Sequence, residues 1–197
     1  MSTKTKRILI VAAIIVIAIL LGLVTDLIWG AIEKKNHPQD FSMYISQYSA
    51  EYNVPESVIY AVIKVESDFD ARAKSSVGAR GLMQMMPKTF EWLTGEEHLG
   101  EHLDTSELYD PEVSIRYGTY YLNYLYKKFN YNWDTALAAY NGGEGNVRKW
   151  LDDPRYSNDG VTLYDIPYDE TKSYVKKVNK EIDTYKKLYF EQNEVKK

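Results

Sequence analysis

Residues 66–87 read ESDFDARAKSSVGARGLMQMMP, from Glu66 to Pro87, and join a lone carboxylate to a tight, glycine-bearing loop. Immediately upstream, Val54, Val58, Ala61, Val62 and Val65 recur at helical spacing. That pattern predicts an amphipathic helix with its apolar face buried and Glu66 near its end. A carboxyl at the edge of a core is partly desolvated. Desolvation disfavours the charged form, so the pKa rises toward the range in which the group can hold and donate a proton near neutrality. In the loop, Gly78 and Gly81 permit positive φ or close approach of backbone to a ligand, and Pro87 stops the run Leu82-Met83-Gln84-Met85-Met86. Taken alone, the stretch reads as a helix with a solvated terminal Glu followed by an ordinary loop. Only its combination with other clusters along the chain gives it chemistry.

The 197 residues, 45% of them hydrophobic, have room for one domain and an appendage. The chain has no Cys, which excludes disulfides, a Cys-ligated zinc site and a Cys nucleophile. His98 and His102 form an i,i+4 pair, but Gly100 lies between them and no helical pattern follows. This predicts a solvated loop in place of a metal site, and neither metal nor cofactor is expected. The 18 Tyr suit helix packing and also a groove that stacks on and hydrogen-bonds to sugars.

Ile8 to Val24 is an unbroken run of apolar residues and Gly, preceded by Lys4, Lys6 and Arg7. It nearly spans ~30 Å of hydrocarbon. It is longer than the ~7–15-residue apolar region of a signal peptide, and no small-x-small cleavage site follows Val24. A retained single-pass membrane anchor is therefore expected, with the basic N-terminus inside and the rest outside the cytoplasm. Without those three basic residues, 21 Lys and Arg face 28 Asp and Glu, a formal charge of −7. Such an acidic balance argues against nucleic acid as a partner.

Residues 1–25 are thus read as basic residues and a transmembrane anchor, 26–40 as a polar linker, and 41–197 as the globular domain. From Phe41 onward the pattern is helical. A short helix spans Ser42 to Glu51. Asn53, Pro55 and Glu56 resemble a capping box for the next helix. Further helices are expected around Phe90 to Leu93, from Asp110-Pro111 to Phe129, from Asp134 to Tyr140, and from about Asp169 to Glu191, with Val175, Val178, Ile182, Tyr185 and Leu188 on one face of the last. No stretch alternates convincingly, so the fold class is all-α, with at most a small hairpin in a loop.

Two clusters complete the picture. Ala138 to Val147, AAYNGGEGNV, ends a helix in a glycine-rich turn that carries a Tyr hydroxyl and an Asn amide. Ile166 to Val178 opens a helix with Glu170 and Tyr174 one turn apart. Each alone is simple capping. Together, four ordered motifs resemble the catalytic domain of the soluble lytic transglycosylases, a goose-lysozyme-like family. They are IKVES-x-F ending at Phe69, S-x-VGA-x-GLMQ-x-MP from Ser75 to Pro87, AYN-x-G-x-GNV from Ala139 to Val147, and PY-x-ET-x-x-YV-x-x-V from Pro167 to Val178. The resemblance covers Phe41 to roughly Lys187. It implies a lysozyme-like α-fold acting on the bond between N-acetylmuramic acid and N-acetylglucosamine in peptidoglycan, with Glu66 as the catalytic acid. Ser75, Gln84, Met86, Tyr140, Asn141, Glu170 and Tyr174 match positions that line the glycan groove. The chain departs from the family pattern at Asp70-Ala71, where Asn-Pro is common, and at Gly142 and Glu144, which stand in place of Ala and Pro.

Most glycosidases use two carboxylates, ~5–5.5 Å apart for retention or ~6.5–9.5 Å for inversion. Here only Glu66 has a motif around it. Asp70 would share its helix face if the helix continued, but the resemblance implies that the helix ends there and that Asp68 and Asp70 face solvent. One residue is then expected to act twice, first as acid and then as base toward the sugar's own C6 hydroxyl, giving a 1,6-anhydro product. A hydrolytic muramidase using Asp68 or Asp70, and a non-catalytic wall-binding or assembly module, are the competing readings.

Overall fold

The computed structural model describes residues 2–191. Met1 and residues 192–197, the outer ends of the expected anchor and globular domain, lie outside the described residues. The chain falls into two compact units, Met1–Pro38 and Gln39–Lys197.

The first unit is one helix, α1, Thr3–Asn36, whose first turn is capped by Ser2 accepting from the Lys4 amide at 3.2 Å. Leu9, Ile17, Leu23, Leu27 and Trp29 are all exposed along it. Among the described residues it is the one helix long and apolar enough to cross a membrane. At 1.5 Å per residue it measures about 50 Å, well beyond the ~30 Å of a hydrocarbon core. The stretch expected as a polar linker from residue 26 is accordingly helical through Asn36. No Pro interrupts the chain before Pro38, and Gly30, the one glycine between residues 26 and 36, costs too little to break a helix already nucleated.

The second unit is all-α. It contains α2 (Ser42–Tyr52), α3 (Glu56–Ser67), α4 (Pro87–Leu93), a 3₁₀ turn (Thr105–Tyr109), α5 (Pro111–Lys128), α6 (Trp133–Gly142), α7 (Glu144–Leu151) and α8 (Asp169–Tyr185), which runs into a π turn at Lys186–Phe190. Extended pairing among the described residues is limited to isolated bridges, Lys74 with Arg80, Arg80 with Met85 and Ser157 with Leu163. Helix α3 is the centre. Val58 to Ile63 are all buried, so the apolar stripe expected on one face has become a helix packed nearly all round. It packs chiefly against α8, whose Val175, Val178, Ile182 and Tyr185 face the same core as Leu122 and Leu125 of α5 and Ala136 to Ala139 of α6. A second cluster, Met85, Phe90, Leu93, Leu108 and Tyr117, sits under the loop that follows α3.

The caps depart from the sequence reading. Asn53 takes a left-handed conformation (φ 54°) and ends α2, while Pro55 is the N-cap of α3 with no side-chain bond. An Asn tolerates the left-handed region, so it serves as the stop of one helix in place of the start of the next. Helix α6 extends through Gly142, and α7 follows at once behind Gly143 (φ 85°). The glycine-rich turn expected to end a helix there is a single sharp corner between two helices.

Candidate active site

Helix α3 stops one residue after Glu66. Asp68 (φ 51°) and Phe69 (φ 67°) are both left-handed, so the helix cannot continue, and the chain turns away. Asp68 is exposed and pairs with Lys64 one turn back. Asp70 is also exposed, and its Oδ1 accepts from the Arg72 amide at 2.8 Å. Neither Asp therefore shares a face with Glu66.

The loop that follows is folded back under the end of α3. Ser67 Oγ donates to the Leu82 carbonyl at 2.8 Å, the Gly81 amide donates to the Ala73 carbonyl at 3.0 Å, and the Arg80 and Met85 backbones exchange bonds of 3.0 and 3.1 Å. Gly81 (φ 74°) lies against α5 and the 3₁₀ turn, where an added Cβ would overlap the Leu108 carbonyl oxygen and come within 2.9 Å of Ser114 Oγ. Only glycine satisfies both the dihedral and the space. Ser75 closes its own small turn, with Oγ accepting from the Ala79 amide at 3.0 Å. Gln84 (φ 46°) commits both amide hydrogens to the loop itself, donating to the Ala73 carbonyl at 3.1 Å and the Gly81 carbonyl at 2.9 Å.

Two tyrosines from later helices converge on Glu66. Tyr140, near the end of α6, donates its hydroxyl to the Met83 carbonyl at 2.8 Å. Tyr174, on the second turn of α8, is 6% exposed, and its hydroxyl is buried without a hydrogen-bond partner of normal geometry among the described residues. It nonetheless lies near enough to the Glu66 carboxyl to favour its ionised form. The negative charge of Glu66, together with burial, which is the larger effect, holds both phenols well above their ordinary pKa. Glu66 itself is raised to about 7, chiefly because burial penalises the carboxylate, with Tyr174 pulling the other way. Among the described residues no other carboxylate contributes to this shift. The result is a lone acid, half-buried, that is substantially protonated at neutral pH.

The remaining expected groove residues are spread about this cluster. Met86 is 41% exposed at the N-cap of α4, Asn141 is half-buried beside Tyr140 on α6, and Glu170 is exposed in the first turn of α8. No hydrogen bond or ion pair joins Ser75, Met86, Asn141 or Glu170 to Glu66 among the described residues. No side chain caps α8, so Glu170 is not the capping residue its position suggested. Gly142 lets the end of α6 approach α8, since a Cβ there would stand 2.9 Å from Thr171 Oγ1 and 3.1 Å from the Trp150 ring. This close approach carries Tyr140 and Tyr174 to the same carboxyl.

Sequence reasoning passed over one group. His98, expected in a solvated loop, packs its ring 4.0 Å from that of Trp92 and hydrogen-bonds through Nδ1 with the Tyr120 hydroxyl at 3.1 Å. Trp92, Tyr121 and Tyr124 extend this group toward Tyr140. The i,i+3 spacing of Tyr121 and Tyr124 was visible, but their meeting with Trp92 was not.

Comparison with known proteins shows the family and the fold. Residues 43–160 match the family described as "Transglycosylase SLT domain". The chain is similar to the "Soluble lytic murein transglycosylase" of Escherichia coli K12, 36% identical over 152 residues that make up 77% of this chain and 23% of that protein. It is also similar to the "Membrane-bound lytic murein transglycosylase C" of Photorhabdus laumondii, 32% identical over 131 residues, 62% of this chain and 36% of that one. Among solved structures, the 70 kDa soluble lytic transglycosylase of Escherichia coli superposes with a TM-score of 0.71 at 31% identity, covering 80% of this chain and 26% of that chain. The chain thus spans about a quarter of the length of the soluble relatives it matches.

Proposed function

This chain belongs to the transglycosylase SLT domain family, and from that premise we propose that it is a peptidoglycan lytic transglycosylase with Glu66 as its catalytic residue. The observation that carries the reading is the half-buried Glu66 carboxyl raised to about 7, with no second carboxylate among the described residues acting on it. In the forward step, protonated Glu66 gives its proton to the oxygen linking N-acetylmuramic acid to N-acetylglucosamine. The C1–O bond breaks, and an oxocarbenium-like sugar remains, stabilised by its own 2-acetamido group. The Glu66 carboxylate then removes the proton from the C6 hydroxyl of that sugar. O6 closes on C1, a 1,6-anhydro ring forms, and Glu66 is again protonated with no water consumed.

The surrounding residues divide the remaining work. Tyr140 and Gln84 have their hydrogens committed to backbone carbonyls, so they hold the loop and offer substrate only acceptor oxygens. Ser75 Oγ accepts one bond and donates none among the described residues, and the buried Tyr174 hydroxyl lies beside the Glu66 carboxyl. These two are the donors suited to orient the acetamido group. Met86, Asn141 and Glu170 contact the neighbouring sugars in this reading.

Helix α1 and the membrane-bound relative support membrane association. We infer a single pass at residues 1–25, with Lys4, Lys6 and Arg7 inside and the catalytic domain, 41–197, outside the cytoplasm. The deciding experiment is digestion of purified peptidoglycan by the full chain and by Glu66→Gln, with the fragments read by mass spectrometry. Anhydro ends, one water lighter than reducing ends, support the reading. Reducing ends would mean hydrolysis, and binding without turnover would mean a non-catalytic wall module.

A further inference from the structure

The rings that begin at Tyr140 do not stop at the candidate site. Tyr121 leans on Tyr140 with centroids 5.5 Å apart and lies parallel to Tyr124 at 6.2 Å. Trp92 stands edge-on to both, at 6.4 Å from Tyr121 and 5.2 Å from Tyr124, and His98 closes the row at 4.0 Å from Trp92. Two centroid steps therefore separate the indole from the ring whose hydroxyl braces the loop beside Glu66.

The row changes character along its length. Tyr121 and Tyr124 are packed against the core, whereas Trp92 is 39% exposed. Its neighbours meet the indole at interplanar angles of 71–84°, which fixes its orientation while part of it stays open to solvent. Polar groups border the row. The Tyr124 hydroxyl is bonded to Lys128 and lies 3.5 Å from Glu144, which in turn holds Lys128 at 2.8 Å and Arg148 at 2.7 Å. The Tyr120 hydroxyl is held by His98 on the other side.

Resting on the reading of Glu66 given above, we propose that this aromatic row is a stacking wall for the same glycan strand beyond the bond being cleaved, with Trp92 as its outer platform. A pyranose offers one face of C–H groups and a rim of hydroxyls. An oriented, part-exposed indole beside Tyr hydroxyls and a Glu–Lys–Arg network is complementary to both. A protein or lipid partner would call for a contiguous apolar patch. No second exposed apolar side chain belongs to this row. Continuity with the Glu66 site through ring contacts selects the glycan as occupant.

The test is binding in the Glu66→Gln background with the full chain in detergent. The probes are N-acetylglucosamine oligomers of increasing length and insoluble peptidoglycan. Adding Trp92→Ala weakens binding of the longer oligomers about 3- to 10-fold, Trp92→Tyr recovers most of the loss, and Met43→Ala, an exposed apolar side chain on α2 outside the row, has no effect. Thermal unfolding is followed for each variant. Equal affinity with and without the indole overturns the proposal, as does a loss that comes only with a collapsed unfolding transition. If wild-type chain cleaves nothing while binding still depends on Trp92, the transglycosylase reading fails and the stacking wall stands. Anhydro products with Trp92-independent binding give the reverse.

Discussion

The Tyr140 hydroxyl and the Met83 carbonyl, 57 residues apart in the chain, meet across 2.8 Å and fasten α6 to the loop beneath Glu66. Met83 is fully buried. Tyr140→Phe leaves its carbonyl without that donor, at a cost of about 1–2 kcal/mol, and chemical denaturation should show the loss. Turnover should fall with it, because the loop positions the site.

Tyr174→Phe should behave differently. Its hydroxyl is buried with no partner of normal geometry among the described residues, yet it favours the Glu66 carboxylate, so removing it should be nearly neutral to stability below pH 4.5, where Glu66 is protonated, and should cost stability above about pH 7. Because Tyr174 lowers the pKa of Glu66, its loss should move the basic limb of the pH–rate profile upward. A limb shifted downward would show that the hydroxyl does not favour the carboxylate.

Glu66→Gln keeps the shape of the side chain but can neither donate nor accept the proton, so turnover should drop by at least about 10²–10⁴-fold. In the wild type, the protonated acid is lost as pH rises through about 7, and activity should decline there. The stability effect has a definite sign. The folded pKa is raised above the unfolded value of 4.5, so the stability present below pH 4.5 is lost as pH rises to about 7. Above that the carboxylate is a constant burden of up to about 3 kcal/mol. Glu66→Gln should therefore be more stable than wild type at pH 8, with the difference gone below pH 4.5. Equal unfolding midpoints at pH 8 would show that burial does not penalise this group.

Gly81→Val should cost both folding and turnover. The residue needs φ 74°, and a Cβ there would run into the Leu108 backbone. The destabilisation should reach about 3 kcal/mol or more, and normal melting would show that the loop can move away from the 3₁₀ turn.

Asp68→Asn and Asp70→Asn should each change turnover only a few-fold. Both are exposed, one tied to Lys64 and the other to the Arg72 amide. If Asp70→Asn were as damaging as Glu66→Gln and the products carried reducing ends, two-carboxylate hydrolysis would replace the single-residue mechanism.

What the sequence by itself determined follows from local rules. Helical spacing from Val54 to Val65 announced α3 and put Glu66 at its end, because side-chain periodicity is set by the helix itself. The all-α class, the apolar run in α1 and the glycine-bearing loop were legible for the same reason, and the order of four motifs pointed to the family. Tertiary structure alone decided the rest. Whether Tyr140 and Gln84 would offer donors to substrate depended on carbonyls at Met83, Ala73 and Gly81 that only folding brings to them. Asn53 was read as a start and became a stop, since a cap is chosen by the backbone angle that packing imposes. Trp92 and His98, which lie on α4 and in the loop after it, met the tyrosines of α5 only across the fold. Periodicity tells a residue which face it shares with its neighbours in the chain, and the neighbours that meet across the fold are set by packing.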